Sequence, residues 1–280
     1  MINKNNLPCQ ELKGKKLYHY TSFDSFVKIW LSKKILLGSI ENVNDIFEYK
    51  HTLEVNNLCC LPLTLAFDEV RKSFRQTSFT LDDDQIDGFK NPMMWGQYAN
   101  KAKGVCIEFD FDKLFLKYKN NRDVLDGFVR YLDRIPKLPP INDQRTKNDL
   151  RDYIINHKDS IMFTKFNVWK AENEYRIVSD KLSELDIENT ISAVYLASCL
   201  SDECRFVEEL LKNSGIPVWA LFITTNTLFS QLEVCNPEER RKRIRETDNI
   251  NSQVNEFYQS LKYIDDACLI MDSIKLGKSK

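Results

Sequence analysis

The sequence predicts one large mixed domain, of α/β or α+β type, with a helical appendage. Three observations support this. Short segments that alternate apolar and polar residues are interleaved with segments of helical period. A length of 280 residues exceeds the usual single domain yet still permits one large domain plus an appendage. At Pro237 the character changes to charged helix, placing the expected boundary between a 1–236 domain and a 237–280 tail.

Taken in order, Leu17 to Tyr20 reads as a strand, and Thr21 or Ser22 then caps a helix running to Lys33. Phe23, Phe26, Val27, Trp30 and Leu31 form that helix's apolar face. Ile35 to Ile40 reads as a second strand, and Asn42 to Glu48 as a polar turn in which Asn44 and Asp45 can bond back to the backbone. Leu53 to Arg71 has no clear period. Phe74 to Thr80 alternates as a strand and runs into Asp82-Asp83-Asp84. Asn91-Pro92 starts a helix, Met93 to Asn100, with Trp95, Tyr98 and Ala99 on a shared side. Gly104 to Asp110 is a strand, and Phe111 to Ser160 reads as mainly helical, broken at Pro136, Pro139 and Pro140. Then follow a charged strand after Trp169, a strand Ile191 to Ala197, a helix Ser201 to Asn213 and strands at Pro217 to Thr224 and Gln231 to Cys235. The tail reads as two helices. The charge run Glu238 to Glu246 forms a solvated face, while Ile250, Val254, Tyr258, Leu261 and Ile264 could dock on the body or on a second copy, giving a homodimer.

Composition narrows the function classes. Forty basic and 41 acidic side chains leave a formal net charge of -1, so no global pull toward nucleic acid or anionic membrane is expected. No apolar run approaches the ~20 residues of a membrane helix, and Met1 to Gln10 lacks the apolar core of a secretion signal. The expected location is cytoplasmic, with no membrane partner. The eight cysteines form no Cys-x-x-Cys pair and the three histidines do not neighbour them at metal spacing, so no metal site is expected. The adjacent Cys59-Cys60 is the one redox-capable pair by position.

Three segments could carry chemistry. Tyr18-His19-Tyr20-Thr21 places His19 and Thr21 on one strand face beside a helix start, where a neutral imidazole can bond a ribose hydroxyl. Trp95 and Tyr98, three residues apart on a capped helix, can wall a planar ring, with Ser78 and Thr80 lending hydroxyls to the same cleft. In Glu172-Asn173-Glu174-Tyr175-Arg176, strand alternation sends Glu172, Glu174 and Arg176 to one face, with Lys165 and Trp169 just ahead. A glutamate beside an arginine stays ionised at neutral pH. Next to a ribose C1 it would stabilise an oxocarbenium-like transition state. There is no glycine-rich phosphate loop, Gly-x-Ser-x-Gly elbow or His-Glu-x-x-His.

These pieces, in this order, resemble the bacterial family known as domain of unknown function 2971. The resemblance runs through Leu17-Tyr18-His19-Tyr20-Thr21, Asn44-Asp45-Ile46-Phe47-Glu48, Ser78-Phe79-Thr80 and Met94-Trp95-Gly96-Gln97-Tyr98-Ala99. It continues through Gly104-Val105-Cys106, Lys165, Trp169 and Glu172-x-Glu174-x-Arg176. It spans residues 17 to 235; Ile46 stands where the family usually has proline, which loosens the turn and leaves open the role of Asn44, Asp45 and Glu48.

More distantly, a strand ending in His-Tyr-Thr, a Ser-x-Thr strand, a helix-borne aromatic and a late Glu resemble the ADP-ribosyltransferase superfamily. That resemblance implies an α+β fold of split, mostly antiparallel sheets with flanking helices, and NAD as substrate. It implies that His19, Tyr20 and Thr21 hold NAD with Ser78 and Thr80 nearby. Tyr98 would stack on nicotinamide beside Trp95, Glu174 would be catalytic and Glu172 would orient the acceptor. Arg176 has no firm counterpart and would either pair with Glu174 or grip a phosphate. The implied activity is cleavage of the nicotinamide glycosidic bond and transfer of ADP-ribose to an unknown acceptor, as in an intracellular toxin or anti-phage defence effector. A non-catalytic module binding a nucleotide or nucleic-acid end, or a non-NAD glycosidic enzyme, would use the same cleft.

Overall fold

The computed structural model describes residues 11–45, 48, 61–141, 146–225, 230–250 and 252. The strands are β1 (Lys16–Thr21), β2 (Lys34–Leu36), β3 (Gly38–Ser39), β4 (Arg75–Thr80), β5 (Val105–Asp110), β6 (Val124–Phe128) and β7 (Arg130–Leu132). They continue as β8 (Thr164–Phe166), β9 (Glu174–Ser179), β10 (Glu184–Asp186), β11 (Ile191–Leu196), β12 (Val218–Thr225) and β13 (Ser230–Cys235). The helices are α1 (Phe23–Ser32), α2 (Leu61–Lys72), α3 (Pro92–Gln97), α4 (Phe111–Tyr118), α5 (Lys147–Asn156), α6 (Lys158–Ile161) and α7 (Asp202–Leu211), followed by α8 over 237–250.

The fold is mixed α+β around a mainly antiparallel sheet. Among the described residues that sheet runs β13-β12-β11-β5-β1-β4-β9-β6, with β3 added beside β4; within it β11 and β12 pair in parallel. Two small pairs stand apart, antiparallel β10-β2 and parallel β7-β8. Both faces of the large sheet are covered, which is why every residue of β9 is buried instead of every second one. One face carries Leu17, Phe79, Ile107, Tyr175, Ile177 and Val194 under α1, α4 and α7. On the other face lie two separate apolar patches: Val178 under α2 and α5, and Tyr18, Tyr20 and Cys106 under α3.

Between β1 and β4 the sheet opens. The two strands share the single register pair Tyr18↔Thr80, whereas β1 pairs with β5 along all six of its residues. Beyond Tyr18, the bond from His19 Nδ1 to the Ser78 carbonyl oxygen (2.9 Å) spans the widening gap.

Local chemistry fixes the start of four helices. Ser22, not Thr21, caps α1, accepting from the Ser25 N–H at 3.2 Å. Asn91 caps α3 through Oδ1, which accepts from the Met93 and Met94 N–H groups, with Pro92 in the first turn. Ser201 caps α7 and Thr146 forms a capping box with Asp149 on α5.

Several expectations are corrected. The stretch 111–160 is not mainly helical: it holds β6, which pairs antiparallel with β9, and β7, which pairs with β8. Both are short, and partner residues far along the chain stabilise them, so local period gave no signal. The expected strand Ile35 to Ile40 divides into β2 and β3, which join different sheets. On α1, Phe23, Phe26, Val27 and Trp30 pack on the core as expected; Ile29 joins them, and Leu31 is 69% exposed instead of buried. The second tail helix, Ile46-Phe47 of the polar turn and Cys59-Cys60 lie outside the described residues. Among the described residues, no helix is long and apolar enough to cross a membrane.

Candidate functional site

A cavity of about 320 Å³ occupies the gap between β1 and β4. Its lining includes His19, Tyr20, Ser78, Thr80, Tyr98, Glu172 and Glu174. An imidazole from the start of the chain and a carboxylate from two-thirds along it therefore share one pocket. A larger, more open depression of about 570 Å³ lies at α7 and the start of α8. Half of its lining residues are charged, and it holds none of the residues expected to bind ligand or carry chemistry.

The floor of the cavity is a buried ionic cluster. Register pairs Ser78↔Arg176 and Thr80↔Glu174 bring hydroxyls and charges to the same sheet face. Lys165 Nζ, on β8, lies 2.5 Å from Glu172 Oε2, 2.9 Å from Glu174 Oε2 and 3.5 Å from Glu48 Oε2. Arg176 Nε donates to Glu174 Oε1 at 2.5 Å, Nη2 to Glu174 Oε2 at 3.0 Å, and Nη1 to the Met162 carbonyl at 2.7 Å. Arg176 Nη2 also pairs with Glu48. Three carboxylates thus share two cations, all five residues being buried.

Strand alternation was expected to bring Glu172 to this cluster, but Glu172 lies outside β9 and arrives from a turn instead. It ends a 3-10 turn over Asn167–Glu172, and Asn173 follows in the left-handed region (φ 43°) before β9 begins. Asn tolerates that conformation better than most residues. Its side-chain amide donates to the carbonyls of Leu81 and Asp82, at 3.2 and 3.1 Å. That kink, held by β4's trailing loop, turns both carboxylates toward Lys165.

The charge states divide. Burial alone would raise the Glu174 carboxyl, but Arg176 and Lys165 outweigh it and hold the group well below its ordinary value. Burial raises Glu172 and Glu48, and their cations only partly offset it. Lys165 is raised: burial opposes its charge, and Glu174, Glu48 and Glu172 overcome that opposition. Tyr98, pushed up chiefly by burial, keeps its proton and donates it to Glu172 Oε1 at 2.5 Å. His19 is pushed down by burial and is neutral at pH 7. Since a carbonyl only accepts, Nδ1 carries the proton toward Ser78 and Nε2 is left as an acceptor. The Thr77 and Thr80 hydroxyls, both buried and lining the cavity, have no partner.

Three predicted residues do not line the cavity. Thr21 closes β1 opposite Val105, and a Cβ on Gly104 would lie 2.1 Å from its carbonyl oxygen. Trp95 is core: its indole N–H donates to the Phe89 carbonyl and its ring meets Tyr20 edge-on at 5.2 Å. Arg176 has no exposed surface, so it pairs with carboxylates and cannot grip a phosphate in the cavity. Tyr20 lines the cavity, but its hydroxyl is committed to the Gly88 carbonyl. Sequence reasoning did not place Glu48 or Lys165 among the site residues, although both stand in the motifs quoted above.

Residues 94–177 match the family model described as "Protein of unknown function (DUF2971)". This stretch is a DUF2971 match. The DUF2971 segment contains Tyr98, Lys165, Glu172, Glu174 and Arg176, and hence most of the ionic floor; His19, Ser78 and Thr80 precede it. No curated protein matches the chain.

Proposed function

We propose that this protein is an ADP-ribosyltransferase-like enzyme that cleaves the nicotinamide glycosidic bond of NAD and transfers ADP-ribose to an acceptor. The observation that carries the reading is the shared cavity of His19 and Glu174 at the point where the sheet parts. Glu174, kept ionised by Arg176 and Lys165, supplies a fixed negative charge for an oxocarbenium-like centre. The acceptor nitrogen of His19 and the free hydroxyls of Thr77 and Thr80 suit the hydroxyls of a ribose. At about 320 Å³ the cavity is near the lower end of ligand pockets, roughly 300–1,000 Å³. It therefore takes the nicotinamide–ribose end, leaving the rest of the dinucleotide toward the mouth at Leu36 and Asn44. An intracellular toxin or anti-phage effector is the setting such an activity would serve.

The test is release of nicotinamide from labelled NAD by the purified protein with cell lysate as acceptor. Glu174→Gln should lower the rate on the order of 10²- to 10³-fold, the range for losing one pre-aligned charge partner. Equal rates, or NAD left unspent by both proteins, would overturn the enzymatic reading.

One observation favours a second reading, nucleotide binding without turnover: both oxygens of Glu174 are already engaged by Arg176, and one also by Lys165. In that case NAD or a related nucleotide raises the melting temperature and is recovered intact.

A further inference from the structure

The family resemblance gives Tyr98 the part of a ring that stacks on a planar ligand. The geometry gives it another. Its hydroxyl donates to Glu172 Oε1 and Lys165 Nζ donates to Glu172 Oε2, both at 2.5 Å, so each oxygen of that carboxylate is pinned from a different element. The helix bearing Tyr98 is fastened to the Glu172 turn at its other end as well. Asn91, which caps α3, uses Nδ2 to donate to the Ala171 carbonyl at 2.6 Å, next to Glu172. Tyr98 itself closes α3, its N–H bonded to the Met94 carbonyl. So α3 is a two-point strut between the cavity wall and the turn.

We propose that Tyr98 is a positioning residue whose hydroxyl aligns Glu172 as the base of the site, and that its ring is not a stacking platform. The inference rests on the glycosidic reading of the cavity. In the step it implies, an acceptor O–H or N–H attacks ribose C1 and the C1–N bond to nicotinamide breaks. The bonding electrons leave with the ring, which departs neutral, and the acceptor's proton passes to Glu172. Glu174 remains ionised throughout. The groups facing Glu172 are Lys165 from β8, Tyr98 after α3 and Glu174 from β9, with Glu48 and Arg176 beyond Lys165. Burial raises its carboxyl, and the Lys165 and Tyr98 donors oppose that rise by favouring the anion that accepts the proton.

The experiment uses the full chain. Glutamate side-chain carboxyls are titrated by carbon-13 NMR, Glu172→Gln identifying the signal by its loss. Tyr98→Phe keeps the ring and removes the donor to the anion, so the Glu172 midpoint should rise by about one pH unit. The acid limb of the nicotinamide-release profile should move up with it. An unchanged midpoint in Tyr98→Phe would overturn the inference. So would a wild-type profile in Tyr98→Phe with activity lost only in Tyr98→Leu, the pattern of a stacking ring. Should Tyr98→Phe fail to fold, 3-fluorotyrosine at position 98, a stronger donor, must lower the Glu172 midpoint; no shift overturns the proposal. If the wild-type protein spends no NAD, the glycosidic reading fails, while the titration still decides whether Tyr98 governs Glu172.

Discussion

Arg176 has no exposed surface, and its guanidinium is divided among Glu174, Glu48 and the Met162 carbonyl. A buried ion pair contributes little net stability over an apolar core, but removing one partner strands the others. Arg176→Met should therefore cost about 3–5 kcal/mol, read from urea unfolding at neutral pH, because three buried carboxylates are left to share Lys165 alone. The cost should depend on pH. Glu174 is held below its ordinary value of 4.5, so it binds a proton less readily folded than unfolded. Its stabilising share is complete above about pH 4.5 and fades as the pH falls toward the depressed folded value. Glu48 and Glu172, raised by burial, run the other way: they weaken the fold once ionised and relieve it when protonated. Both effects narrow the gap between wild type and variant in acid. A gap that stays constant from neutral pH down to about pH 3 would show that Arg176 acts by packing alone. The same arithmetic separates the two glutamates as chemical groups: Glu174 is a fixed anion and Glu172 a group able to exchange a proton.

Convergence of these charges depends on two short elements, the 3-10 turn ending at Glu172 and the capped helix α3. The turn delivers Glu172 only because Asn173 adopts φ 43°. In that conformation a residue other than glycine bears a cost of roughly 1–2 kcal/mol, which Asn lowers. Its amide bonds to the Leu81 and Asp82 carbonyls tie the turn to the end of β4. Two substitutions separate these contributions. Asn173→Gly frees the backbone but removes both side-chain bonds, whereas Asn173→Ala removes the bonds and keeps the backbone strain. Thermal unfolding should find the Ala variant less stable than the Gly variant by about 1 kcal/mol, with both below wild type. Equal stability would mean that the left-handed backbone is not what sets the turn. At the opposite side of the cavity, β1 and β4 part after Tyr18↔Thr80, and the His19 bond to Ser78 replaces the ladder pairing there. Elements this short derive their placement from cross-links, which explains why a single αL residue and one N-cap bear on the positions of Glu172, Glu174 and Tyr98.

Across the whole molecule, what the sequence revealed and what it hid follow one physical division. Elements with local signals were legible: the Ser22 and Asn91 caps, a helix beginning near Ser201, and the apolar-rich segments of strands β1, β4, β5, β11, β12 and β13. Hidden were β6 and β7, which exist through pairing with β9 and β8, and the order of the sheet, in which β1 sits between β5 and β4. The cavity was legible as a set of residue types but not as a shape, since Lys165 lines it, and Glu48 joins the ionic cluster beneath it, only through tertiary contact. In the tail the solvated face was legible, with Glu238, Glu239, Lys242, Arg243, Arg245 and Glu246 exposed, but its anchor to the body was not. The charge run at Glu238 to Glu246 reads as a solvated face, yet Arg241 reaches back to the body. Its Nη2 donates to Glu208 at 2.7 and 3.0 Å and its Nη1 to the Cys199 carbonyl at 2.9 Å, while Arg240 lies over the Phe222 ring at 4.3 Å. A planar guanidinium that holds a carboxylate through one nitrogen and a backbone carbonyl through another fixes both acceptors in a way one ammonium cannot. Arg241→Ala should therefore loosen the start of the tail without unfolding the sheet. In hydrogen exchange, amides across 237–250 should exchange faster, and those of Val105–Asp110 in the sheet interior should keep their protection. Arg241→Lys should fall between the two, since it restores charge but not the fork. Unchanged exchange across 237–250 in Arg241→Ala would show that α8 is fastened by its other contacts, with the Arg241–Glu208 pair a bystander.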